Sequence, residues 1–226
     1  MKLSLATAVA LAVLAAVLTA SRGAGAVSVA KAAAVTSPAP APANPAGAAP
    51  SPTTSSTATA APAALAADPA RSVLGFTDIQ AGAEFKGVFK KFSARVSLDP
   101  AQLATSRIEV HIDTHSVDTQ DGERDSNIRG ADFFDVAHHP QATYVTRAIA
   151  QTAKGFSATG TLTLRGVSRD VPLEFTFTRT GAGGTLTGTT AVKRLDFGVG
   201  QGEWKSTEWV GNEVKINFSL NLKPTS

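Results

Sequence analysis

The sequence predicts an all-β domain of about eight antiparallel strands, a closed barrel or a sandwich, with one short helical insertion. Three observations predict it. Apolar and polar residues alternate with period two over several stretches. Turn residues separate those stretches, at Asp99-Pro100, Gly166 and Gly181-Ala182-Gly183-Gly184. Helical signal is confined to Gly122–Gly130, with a turn at Ala131–Asp135. One-sided alternation implies antiparallel strands with one wet face.

The elements follow in chain order. Weaker strands fall at Val73–Ile79 and Phe85–Phe89. Phe92, Ala94, Val96 and Leu98 then alternate with Ser93, Arg95 and Ser97. Ile108, Val110 and Ile112 alternate with Arg107, Glu109 and His111. After the helical insertion come Ala142–Arg147 and Phe156–Leu164. Val171, Leu173, Phe175 and Phe177 alternate with Pro172, Glu174, Thr176 and Thr178. Thr185–Val192 precedes the clearest strand, in which Val214, Ile216, Phe218, Leu220 and Leu222 alternate with Lys215, Asn217, Ser219, Asn221 and Lys223.

Only the second part of the chain can build this domain. The first 67 of 226 residues hold no Phe, Tyr, Trp, Asp, Glu or His. Large side chains are needed for a packed core, so the fold is assigned to residues 71–226. Residues 1–26 read as a secretory signal. Lys2 opens it, Leu3 to Leu18 is almost wholly apolar, and Ala24-Gly25-Ala26 supplies the small residues of a cleavage site. A retained membrane anchor competes with this reading, but the apolar run is short for a span of about 20 residues. Residues 27–70 read as a disordered linker. Between Thr36 and Ala64, 27 of 29 residues are Ala, Pro, Ser or Thr, too poor in apolar bulk to repay ordering.

Charge narrows the function. The chain carries 21 basic and 18 acidic residues, but three basic ones, Lys2, Arg22 and Lys31, precede the domain. From Asp68 onward 18 basic and 18 acidic residues balance, which argues against a nucleic-acid binder. Cysteine is absent, which excludes disulfides, thiol catalysis and Cys-ligated metals. There is no G-x-S-x-G elbow and no phosphate-cradling loop.

Several stretches in order carry a resemblance. Ser116-Val117-Asp118-Thr119 precedes Arg124-Asp125 and Arg129-Gly130-Ala131-Asp132-Phe133-Phe134-Asp135. Pro140 follows, then Gly160-Thr161-Leu162-Thr163-Leu164-Arg165-Gly166-Val167-Ser168-Arg169-Asp170-Val171-Pro172-Leu173. Arg194-Leu195-Asp196-Phe197-Gly198 and Val210-Gly211-Asn212-Glu213-Val214 close the series. From Val73 to Leu222 this order resembles the YceI-like family of exported bacterial lipid-binding proteins. The resemblance implies a lipocalin-like antiparallel barrel whose long apolar cavity holds a polyisoprenoid or similar chain. It also implies a periplasmic location and no catalysis. Asn127 stands where many members have His, and Gln80–Ala83 and Gly200–Trp204 suggest a subgroup.

The expected ligand is an isoprenoid, quinone-like or acyl-chain lipid, with transient membrane contact and room for a homodimer. No cofactor is expected. Candidate ligand contacts are Phe76, Phe89, Phe92, Phe133, Phe134, Phe175, Phe177, Phe197, Trp204 and Phe218, each weighed against simple core packing. Arg124 and Arg129 are candidates for a charged head group at the mouth, or for pinning the insertion by pairing with Asp125, Asp132 and Asp135. An isoprene unit gains about 4 kcal/mol on burial, so eight units nominally exceed the ceiling of about 18–21 kcal/mol. Chain ordering must cancel much of that gain, or part of the chain stays outside. Two further readings compete with a lipid carrier. One is a metal-binding or enzymatic barrel using His111, Asp113 and His115, which alternate along one strand face and hardly converge. The other is a structural exported module with a filled barrel.

Overall fold

The computed structural model describes residues 62–225. The signal and most of the linker assigned from sequence lie outside the described residues. Among the described residues, eleven strands and one α-helix occur in the order β1 (Leu65–Ala67), β2 (Val73–Gln80), β3 (Ala83–Phe89), β4 (Phe92–Ser97), β5 (Arg107–Asp113), β6 (Val117–Asp118), α1 (Gly122–Arg129), β7 (Gln141–Thr152), β8 (Gly155–Leu164), β9 (Val167–Thr180), β10 (Gly183–Lys193) and β11 (Glu213–Pro224).

All pairings are antiparallel, and eight strands close a ring: β1, β4, β5, β7, β8, β9, β10, β11 and back to β1. β2 continues along the edge of β11 that β1 occupies, since Leu65–Ala67 face Pro224–Leu222 and Val73–Thr77 face Ser219–Lys215. β3 and β6 likewise prolong the positions of β4 and β5. The closed barrel is thus the architecture realised, rather than a sandwich, and it leaves no long unpaired edge among the described residues.

β1 lies inside the stretch 27–70 assigned to the linker, so that boundary moves toward the N-terminus. Three residues are too few to show alternation, and Ala-rich composition hid them. Leu65 and Ala67 are nevertheless buried in the core.

The two ends of the barrel differ. At one end Leu65, Ala67, Val96, Leu98 and Leu222 pack together in the buried core. At the other, α1, the turn after it and the β10–β11 loop form a cap. Gly200 N and Gln201 N donate to Asp132 O at 2.7 and 2.8 Å. Arg165 ties the same two segments by donating to Gly198 O and Ala131 O, both at 2.6 Å.

Leu98 is 1% exposed at the solid end, whereas Ile216 on β11 is only half-buried. Leu98→Ala should therefore cost about 2–5 kcal/mol in urea unfolding. Ile216→Ala should cost about half as much or less, because it deletes contacts already incomplete on one side. Equal costs would contradict an interior that is solid at one end and hollow toward the other.

Candidate functional site

The inward face of β11 locates the void. Val214, Ile216 and Phe218 alternate with exposed Lys215, Asn217 and Ser219, yet each is only half-buried. Leu220 and Leu222, further along the same face, are buried. An inward side chain that stays accessible borders empty space. Two cavities of about 150 and 80 Å³ fill that space, and both have Ile112, Leu162 and Ile216 in their walls. They are two chambers of one bore, the larger beneath the cap.

A dry apolar cavity of about 150 Å³ accepts a benzene-sized molecule. On that scale the two chambers hold roughly ten carbons, about two isoprene units. A longer chain requires wall side chains to yield, or leaves its remainder outside.

Most of the aromatic residues singled out from sequence meet here. Phe76, Phe89, Phe133, Phe134 and Trp204 line the cap-side chamber, as does Arg124. Phe92 and Phe218 line the inner one. The aromatics form a row, with Phe76 and Phe89 centroids 5.7 Å apart and Phe89 and Phe134 5.9 Å apart. Phe133 packs on Trp204 at 5.5 Å. Four residues lie elsewhere. Phe175 stacks on Phe156 at 5.4 Å toward the solid end. Phe177 is half-buried, with the Arg179 guanidinium 5.9 Å from its ring centroid. Phe197 is 2% exposed and packs into the core. Arg129 donates to His115 O and Val117 O, pinning α1 to the strand region beside it.

Arg124 has a divided role. It donates to Asp121 Oδ2 at 3.0 Å, and its guanidinium lies 4.5 Å from the Phe85 ring centroid. Asp121 caps α1, and hydrogen bonds from the Arg124 backbone and then its side chain hold the Asp121 carboxyl below its ordinary value. The Arg124 Nε is buried with no acceptor among the described residues.

Two charged residues in the same chamber were missed from sequence. Asp78 is 6% exposed and Arg194 is 3% exposed. Arg194 donates to the carbonyls of Gly211, Val199, Ser206 and Val210, so it organises the cap loop. Gly200 has φ +88°, and a Cβ there would strike the Arg194 guanidinium, so glycine is required. Burial moves both groups toward neutrality: the Asp78 carboxyl is pushed up and the Arg194 guanidinium down, each offset by the other's charge. A backbone bond from Ile79 N also favours the Asp78 carboxylate. The signal for Asp78 was present: it occupies the inward phase of β2 after Leu74 and Phe76.

The strand residues proposed for a metal are separated. His111 Nε2 contacts Glu109 Oε1 at 2.8 Å, while Asp113 Oδ1 accepts from His115 N at 3.0 Å. Among the described residues no group of three His, Cys, Asp or Glu is placed to hold a metal ion.

Comparison with known proteins is consistent with this geometry. Residues 65–222 match the family model of the YceI-like domain. A UPF0312 protein of Vibrio cholerae is 36% identical over 121 residues, covering 50% of this chain and 64% of that protein. The matched stretch thus spans a little under two thirds of the relative. Protein YceI of Escherichia coli is 40% identical over 88 residues, 39% of this chain and 46% of that one. Among solved structures, Burkholderia cenocepacia BcnA is 39% identical with a TM-score of 0.65, covering 69% of this chain and 98% of that chain. A polyisoprenoid-binding domain from Saccharophagus degradans is 17% identical with a TM-score of 0.54 over 72% of this chain and 99% of that one, a likeness of fold.

Asp78 sets a stability dependence. Between the ordinary carboxylate value and its raised one, it binds more protons in the folded chain than in the unfolded. Its contribution is therefore fully present in acid and is lost as pH rises through the raised value. Asp78→Asn should melt a few degrees above the wild type at pH 7. The gap should close as pH falls toward about 4, where Asp78 itself is protonated. A variant less stable than wild type at pH 7, by calorimetry, would contradict this.

Proposed function

The chain belongs to the YceI-like family, and from that premise we propose that it binds a slender hydrocarbon chain, of polyisoprenoid or related class, in the bore. It carries or scavenges that chain in the periplasm after export, without covalent chemistry. The observation that supports this reading is the pair of adjoining apolar chambers inside a closed barrel. The Saccharophagus degradans domain of like fold is a polyisoprenoid-binding domain, which is consistent with the same ligand class.

Affinity would come from burial. Each methylene contributes about 0.8 kcal/mol, and the walls near Ile216 and Phe218 offer only apolar surface to it. The half-buried inward residues disfavour a structural module with a filled barrel. Loading requires a meeting with a membrane. Trp209 and Ile79, 64% and 50% exposed, stand on the outer face of the segment that pairs beside the cap-side chamber, where Gln80 bridges Val210. A tryptophan there suits the interface between water and lipid.

Native mass spectrometry with lipid extraction, on protein purified from its own periplasm, tests the proposal. A co-purifying isoprenoid, quinone or acyl chain supports it. Repeated recovery of empty protein that takes up no added lipid counts against it. Ile216→Trp should cut uptake of a prenyl chain at least tenfold, since the added ring fills the junction of the chambers. Its melting temperature should change little, because that volume is now empty. Undiminished uptake by the folded variant would place the chain outside the bore.

A further inference from the structure

The cap-side chamber holds a mismatch that its own residues do not resolve. Asp78 Oδ1 accepts from Ile79 N at 2.7 Å. No hydrogen bond reaches its Oδ2 among the described residues, and no ion pair joins it to Arg194. The Arg194 donors go to four backbone carbonyls instead. Gly211 leaves room for Oδ1, since a Cβ there would lie 2.9 Å from it. The second oxygen is left to the chamber that Asp78 lines. A buried carboxylate short of donors costs stability.

Resting on the carrier reading above, we infer that Asp78 is the polar anchor of the ligand and that the ligand is an uncharged amphiphile bearing a hydroxyl group. A carboxylate only accepts hydrogen bonds, so the missing donor comes from the ligand. An anionic head finds guanidinium groups in the lining but has no donor to give Asp78, whose carboxylate repels it at that point. A cationic head meets two guanidinium groups among the lining residues, those of Arg194 and Arg124. A hydroxyl donates one bond and accepts others. That matches the Asp78 oxygen, which accepts no bond from the described residues and opens on the chamber that Arg124 also lines. The two groups are neighbours through one ring: Asp78 faces Phe85 across β2 and β3, and Arg124 lies over Phe85. The hydroxyl then sits under the cap with the tail directed past Ile216 into the inner chamber.

Geraniol, geranyl methyl ether and geranyl diphosphate share a ten-carbon chain, and titration of each into the full chain by calorimetry tests the assignment. Wild type should bind geraniol at least tenfold tighter than the ether, as expected for a hydrogen bond to a charged acceptor. The diphosphate should bind more weakly than geraniol. Asp78→Leu should erase the preference for the alcohol while holding the ether within about twofold of wild type, as an unchanged apolar bore requires. Asp78→Asn keeps an acceptor for Ile79 N and removes the charge, so it should narrow the preference to a few-fold even if the leucine variant does not fold. Equal binding of alcohol and ether by wild type would overturn the anchor while leaving the bore intact. So would a diphosphate that binds as tightly as geraniol, or an asparagine variant with an undiminished preference. Failure of all three compounds to bind would overturn the carrier reading and the anchor with it.

Discussion

Closure of the eight-strand ring is the constraint from which the rest follows. Backbone hydrogen bonds between strands leave little freedom in their spacing, so strand number and stagger set the width of the barrel. The side chains must then fill whatever width results. The three-residue strand Leu65–Ala67 is what completes the circuit, by pairing with β11 on one side and β4 on the other. Where Leu65, Val96 and Leu98 gather, the interior is filled. Toward the cap the inward residues fall short of one another, and a narrow apolar bore remains.

The cap is held by arginine rather than by hydrophobic packing alone. Arg194 and Arg165 bind carbonyl oxygens of loop segments that have no strand to satisfy them. This answers the accounting problem of covering a barrel end with irregular chain, whose backbone polar groups still require partners. Asp78 belongs to the same region but not to that scaffold. It offsets part of the Arg194 charge at a distance and leaves an oxygen facing the chamber. On the proposed reading, that cost is stability given up for binding.

The legible part of the fold was the part with long period-two alternation. β11, β9, β4 and β5 announce themselves because one face is wet, and the barrel answers to their number. β1 could not be read, because three residues carry no period and sit in Ala-rich surroundings. Within the site, alternation says which residues point inward but not how far along the bore they lie. Phe218 and Phe175 read alike in sequence, yet one borders a chamber and the other stacks on Phe156. Arg124 and Arg129 share one helix, and only the fold shows that Arg129 is consumed by the carbonyls of His115 and Val117. Phe197 sits in a short turn after β10, outside any alternation, where its direction had no sequence signature. Asp78 was readable from its phase on β2, but an acid in an apolar row draws less attention than a run of phenylalanines.

Whether the interior is hollow can be seen directly. A crystal of the protein pressurised with xenon should show xenon bound between Ile112, Leu162 and Ile216, where the two chambers meet. Side chains closed across that junction, with no xenon in the barrel, would contradict the account.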